Sequence, residues 1–135
     1  MIYLSEKAGG KLVGTTPEDK AHTVQWLMWQ MSGLGPNFGQ LGHFTKYAKE
    51  NVPYAIDRFR TECKRILKVL DKQLSSNQYM AGNFFSIADI ATYPWIYTAC
   101  EYYKSTDISE YPNIKRWYDA IKERPSVKKA YEVPY

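Results

Sequence analysis

The side chains of this chain from which a reaction could be built are few: two histidines, two cysteines and one compact Ser-x-x-Asp box. His22 and His43 stand without a carboxylate or cysteine at metal-ligand spacing, which argues against a metal centre, and no acidic pair sits in a setting that suggests coupled titration. Cys63 and Cys100 are too few for a disulfide framework and form no C-x-x-C pair, so both read as reduced, with Cys63 on an apolar helical stripe that suits packing. The glycines are not arranged as a phosphate-cradling loop. The chain alone encodes no complete reaction.

The densest local signal is Phe85-Ser86-Ile87-Ala88-Asp89-Ile90, a helix start in which Ser86 is the N-cap and the Asp89 carboxylate reaches back to the Ser86 amide. Phe85 and Ile90 are placed as a hydrophobic staple around it. Asp is shorter than the usual Glu or Gln at that position, so the box must be tight. Apolar neighbours on both sides place the carboxylate in the interior, as a structural device.

Composition bounds the class. At 135 residues the chain is one domain long enough to bury a core. No apolar run reaches the length of a membrane span and Met1 to Lys7 lacks a signal peptide's apolar stretch, so no membrane partner and a cytoplasmic location are expected. The net charge of +4 is concentrated: residues 52–75 hold six basic and three acidic side chains, against five and four over residues 1–51 and seven of each over 76–135. Arg58, Arg65 and Lys72 recur every seven residues there, and Arg60, Lys64 and Lys68 every four. Only Tyr54 and Phe59 are interleaved, too few rings for a nucleic-acid surface, so a solvated helix face and no nucleic-acid partner are expected.

These residues are carried by helices. Residues 1–8 form a short helical end stopped by Gly9-Gly10, and Thr16-Pro17-Glu18-Asp19 opens a helix to about Gly33 with Val24, Leu27, Met28 and Met31 as its apolar stripe. Gly33, Gly35 and Pro36 are expected to interrupt it by a kink or short loop, with a further segment from near Asn37 to Glu50. From Pro53 to near Ser76, Ile56, Phe59, Cys63, Ile66, Leu70 and Leu74 alternate steps of three and four, the mark of a bundle's scaffold helix. Pro94 should bend the capped helix unless neighbours satisfy the freed carbonyl. Pro112 and Pro125 start two later helices, the first with Ile114, Trp117 and Ile121 inward.

Ser86-Ile87-Ala88-Asp89 with Ile90-Ala91 and Pro94-Trp95 resembles the capping-box segment in the all-helical C-terminal domain of glutathione transferases. Gln25-Trp26-Leu27-Met28-Trp29-Gln30, Gly33-Leu34-Gly35-Pro36, Phe38-Gly39-Gln40 and His43-Phe44 resemble, more specifically, the bacterial Nu-class, disulfide-bond oxidoreductase branch and its fungal nitrogen-regulator relative. The likeness runs from the first residues to about Tyr131. It implies an all-α bundle over 11–135, with residues 1–10 as the remnant of the last helix of a thioredoxin-like N-terminal domain plus a linker. Such enzymes keep the residue that activates glutathione on that domain. The resemblance therefore implies a fragment or truncated product, inactive alone, from a homodimeric enzyme that uses glutathione, without metal, to reduce a small disulfide or peroxide or to conjugate an electrophile.

Tyr54-Ala55-Ile56-Asp57-Arg58 matches the segment whose arginine contacts glutathione in that branch, and a guanidinium can fork onto a carboxylate. Arg58 could instead pair with Asp57 or Glu62 at the surface. The second-substrate wall is expected at Trp29, Gly35, Pro36, Phe38, Gln40 and His43, where backbone openings adjoin aromatic rings. Trp29 also suits a plain core role, His43 suits a packing role better than a ligand role, and Gly35 and Pro36 serve the chain path in either case. The same helical domain also serves elsewhere as a non-catalytic protein-interaction module, which is the alternative reading.

Overall fold

The computed structural model describes residues 1–133 as a bundle of helices, so 134 and 135 of the expected helical region lie outside the described residues. Helix α1 (Ile2–Lys7) closes at Ala8, and the chain turns through Gly9 and Gly10, both at positive φ where a side chain would be strained. The Gly10 amide caps the Ser5 carbonyl at 2.7 Å.

Helix α2 (Pro17–Trp29) starts at a closed Thr16–Asp19 box, with the Asp19 amide on Thr16 Oγ1 at 3.1 Å and the Thr16 amide on Asp19 Oδ2 at 3.3 Å. Of the kink or short loop expected at Gly33 to Pro36, the loop does not occur. A wide π turn over Gln30–Leu34 leads directly into α3 (Gly35–Gly42), and a second over His43–Tyr47 ends the rod at Ala48 rather than at Glu50. The Gly35 amide reaches back five residues to the Gln30 carbonyl, and Pro36 then occupies the opening of a new helical segment, where its missing N–H is harmless.

The inward face of α2 also differs from expectation. Thr23, Leu27, Gln30 and Leu34 are buried, whereas Val24, Met28 and Met31 are exposed at 39%, 46% and 58%. The true inner line contains two polar residues, Thr23 and Gln30, so apolar periodicity selected a neighbouring line of the same helix.

Helix α4 (Pro53–Ser76) keeps its expected bounds and stripe: Cys63, Ile66, Leu70 and Leu74 are buried, joined by Leu67, with Ile56 and Phe59 packed at the edge of the core. It lies against α3 and α6, while α2 lies against α5. Helix α5 (Ile87–Tyr97) is buried along much of its length and continues through Pro94 into a π turn over Thr98–Tyr102. Helices α6 (Pro112–Lys122) and α7 (Pro125–Tyr131) both begin at proline, and α6 turns Ile114, Trp117 and Ile121 fully inward. Among the described residues extended pairing is limited to one bridge between Tyr79 and Gly82.

Candidate functional site

Asp89 holds the interior around which the site is built. It is fully buried, and both halves of the Ser86 box are closed. Its Oδ2 accepts from the Ser86 amide and hydroxyl, both at 2.9 Å, and its Oδ1 from the Met80 amide at 3.0 Å and Trp117 Nε1 at 2.8 Å. Ser86 Oγ additionally accepts from the Ala88 amide at 3.2 Å. One carboxylate thus ties the α5 start to the preceding loop and to α6. Burial pushes its pKa up, and the donors from Met80, Trp117 and Ser86 pull it back. Phe85 and Ile90 both pack partly buried against the core.

Arg58 stands near the start of α4 beside a cleft of about 440 Å³, with Asn37 from α3 and Tyr54, Asp57 and Glu62 from α4 among its walls. The surface pairings considered for Arg58 are taken by others: Asp57 accepts from Arg60 at 3.2 Å, and Glu62 receives a two-pronged contact from Arg65 at 2.9 and 2.6 Å. That contact, with a smaller attraction from the nearby Arg58, holds the Glu62 carboxyl below its usual range. Among the described residues Arg58 forms no hydrogen bond or ion pair, which leaves a forked cation at a cleft mouth, suited to a carboxylate.

A second cleft, of about 560 Å³, opens where α2 passes into α3. Of the expected wall, Gly35, Pro36 and Gln40 line it. Phe38 does not: it is 2% exposed and belongs to the core. Trp29 is partly buried, edge-on to Trp26 with centroids 5.0 Å apart, and His43 is exposed and edge-on to Phe44 at 5.1 Å. Met1, Gln30, Met31, Gly39, Ala91 and Trp95 complete the lining, so α5 and the chain's first residue share this cleft with α2 and α3. Trp95 stood in the sequence beside Pro94, but only the packing of α5 on α3 shows which way it serves.

The chain's thiols are not poised for attack. Burial pushes Cys63 up to about 12 and Cys100 up to about 11, and both are free thiols. Among the described residues no three His, Cys, Asp or Glu side chains gather where they could hold a metal ion, and no helix is long and apolar enough to cross a membrane.

Residues 34–125, well over half the chain, match the family described as the glutathione S-transferase C-terminal domain. The chain belongs to this family. It is 41% identical over 130 residues to the disulfide-bond oxidoreductase YfcG of Escherichia coli, covering 96% of this chain and 59% of that protein. With YghU, a second disulfide-bond oxidoreductase of E. coli, it shares 40% over 141 residues, covering 96% and 46%. The glutathione transferase of Burkholderia graminis, solved with two glutathione molecules per subunit, superposes with a TM-score of 0.92 at 37% identity, covering 98% of this chain and 57% of that one. A glutathione transferase of Pseudomonas putida, solved with one glutathione disulfide per subunit, superposes at 0.90 with 38% identity, covering 98% and 59%. The chain therefore spans only about half to three-fifths of the length of these relatives. The all-α architecture expected from the sequence is the architecture of the family's C-terminal domain.

Proposed function

We propose that this chain is the second-substrate domain of a glutathione-dependent enzyme that reduces small disulfides, with peroxide reduction and conjugation of electrophiles as related activities. In this reading residues 1–10 complete the last helix of a thioredoxin-like domain that carries the activating residue, and the helices from residue 11 onward wall the substrate. The observation that carries it is Arg58: a guanidinium with no hydrogen bond or ion pair among the described residues, lining a cleft, in a domain whose relatives are solved with glutathione or its disulfide bound. Glutathione offers carboxylates to such a fork. The exposed Val24, Met28 and Met31 share one face of the α2 rod, which supports burial against a second subunit. The reduced thiols fit a cytoplasmic setting.

The test joins the chain to a thioredoxin-like domain of a family member and measures glutathione affinity by titration calorimetry. Arg58→Ala is expected to weaken binding by roughly 1.5–3 kcal/mol, about tenfold to a hundredfold. Arg58→Lys should recover only part of this, because an ammonium keeps the charge without the planar fork. Lys68→Ala, on the same helix, serves as control. Unchanged affinity in a folded Arg58→Ala protein would refute the assignment of Arg58.

A further inference from the structure

Tyr93 is the meeting point of a group of aromatic rings that line neither of the two clefts. Between ring centroids it lies 6.1 Å from Trp117, 5.2 Å from Tyr118, 6.1 Å from Tyr97 and 6.3 Å from Tyr131, and Tyr97 and Tyr131 approach to 4.3 Å. Tyr93 and Tyr97, four residues apart, share one face of α5, while α6 supplies Trp117 and Tyr118 and α7 supplies Tyr131. The group is graded in depth. Trp117, Tyr93 and Tyr118 are buried, Tyr97 is half-buried and Tyr131 is 40% exposed, so ring contacts run from the core to the surface.

Rings alone could be plain packing, but the interior ones also have proton acceptors in place. Trp117 Nε1 donates to Asp89 Oδ1 at 2.8 Å. The Tyr118 phenol donates to Glu101 Oε1 at 3.1 Å, and the Tyr93 phenol interacts with that of Tyr118. A line of exchangeable protons thus leads from Tyr93 to a carboxylate that is 48% exposed. Burial keeps the Tyr93 and Tyr118 phenols protonated at neutral pH, so taking an electron from Tyr93 requires its proton to leave as well. A positioned carboxylate provides that route. Lys122 Nζ stands 5.8 Å over the Tyr118 ring. A cation there disfavours an oxidised ring at Tyr118, which leaves Tyr118 to pass protons while electrons move through Tyr93 and Tyr97.

We propose that this group is a redox relay: an oxidising equivalent that reaches Trp117 passes through Tyr93 and Tyr97 to Tyr131, where a small thiol reduces it. Trp117 gives one electron to a one-electron oxidant of the peroxyl-radical class, and its indole proton shifts to Asp89. Tyr93 then gives an electron to Trp117, whose proton returns, while the Tyr93 proton moves to Tyr118 and the Tyr118 proton to Glu101. Transfer of an electron from Tyr97 to Tyr93 reverses that shift, and Tyr97 releases its own proton to solvent. Tyr131 next gives an electron to Tyr97, and a thiolate gives one to Tyr131, each phenol regaining a proton from water. The thiolate becomes a thiyl radical, and two thiyl radicals join as a disulfide. The interior is thereby spared oxidation that surface thiols can repair.

The test uses the purified chain, flash-photoionised in the ultraviolet, with transient absorption following the tryptophanyl and tyrosyl radicals through their distinct bands. The parent should convert part of its tryptophanyl radical into tyrosyl radical at a rate independent of protein concentration. Tyr93→Phe keeps the ring but removes the phenol, and should abolish this fast conversion, whereas Tyr47→Phe, in a separate tyrosine cluster, should retain it. Glu101→Gln should slow it about tenfold or more, and this surface change leaves the core packing intact. Glutathione should shorten the tyrosyl lifetime of the parent in proportion to its concentration, and less so in Tyr131→Phe. Fast conversion that persists in Tyr93→Phe, or a parent that forms no tyrosyl radical, would overturn the relay. Equal action of glutathione on the parent and on Tyr131→Phe would overturn the exit at Tyr131. None of these outcomes depends on Arg58 or on a joined domain, so a failed glutathione site and a failed relay are separate results.

Discussion

At the scale of single residues, Asp89 shows how one carboxylate determines a local structure. Its partners come from its own N-cap, from the preceding loop at Met80 and from α6 at Trp117. Removing it strands buried donors in three places, whereas removing the Ser86 hydroxyl loses one cap. Asp89→Ala should therefore destabilise the chain by about 3–5 kcal/mol and Ser86→Ala by about 1–2 kcal/mol, measured as the difference in urea midpoints at constant slope. The burial of Asp89 also gives stability a pH dependence. Its folded pKa lies above the ordinary 3.8, so folding favours the protonated form. The stability this group contributes is full below about pH 4 and declines as pH rises through the folded value. Urea melts of the parent and Asp89→Asn should thus show the parent losing ground relative to the variant between mildly acidic and neutral pH. A constant gap would mean that the hydrogen bonds cancel the cost of burial. The interior placement of this residue was legible, since only a short acid in an apolar setting reads that way. Its bond to Trp117 was not, because a partner 28 positions away leaves no local trace.

At the scale of elements, α4 and α6 cap one another, each using the other's exposed backbone. Asp71 of α4 accepts from the Asn113 and Ile114 amides at 2.9 and 3.0 Å, closing the start of α6, which has no side-chain cap of its own. In return Arg116 of α6 donates to the Leu74, Asn77 and Gln78 carbonyls at the end of α4. An acid at a helix N-terminus and a cation at a C-terminus both complement the helix dipole. Asp71→Ala and Arg116→Ala should each destabilise by about 1–2 kcal/mol, and Arg116→Lys by less than Arg116→Ala, as thermal melts would show. Gly42 provides a different test of element packing. An added Cβ there would fall 2.4–2.9 Å from the Tyr103 ring, so overpacking should outweigh the usual helical gain from alanine. Gly42→Ala is expected to destabilise by about 1–3 kcal/mol in the parent and to be neutral or stabilising when Tyr103 is also changed to Ala. Additive effects in that double-mutant cycle would remove the contact from the account. The bounds of α4 were legible because a long apolar stripe opens at Pro53 and runs uninterrupted. The π turns were not: bonding five residues back has no residue signature, and Gly33, Gly35 and Pro36 look like a break.

At the scale of the whole molecule, the helical class and the succession of helices follow from capping boxes and stripe periodicity, while the candidate site follows from neither. That Gly35, Pro36 and Gln40 line a cleft was legible because a glycine and proline cluster marks an opening. Phe38 was misplaced because an aromatic ring beside an opening looks the same whether it points into the cleft or the core, and Gln30 was missed because a buried polar residue resembles a surface one in sequence. Activation of glutathione requires a group that can reach and stabilise its thiolate, and the chain's own candidates are turned inward. Cys63, Tyr93 and Tyr118 are buried, and burial raises all three and Cys100, so the thiols stay protonated and the buried phenols lie out of reach. The purified chain is therefore expected to fold, with a helical circular-dichroism spectrum and a cooperative melt, and to show negligible turnover with glutathione plus a small disulfide or an aryl halide. Joining a thioredoxin-like domain of a family member ahead of Met1 should bring turnover above that baseline. Turnover by the chain alone at a level comparable to an intact family enzyme would overturn the division of labour proposed here, and would direct attention to the thiols and phenols of the helical bundle as the activating groups.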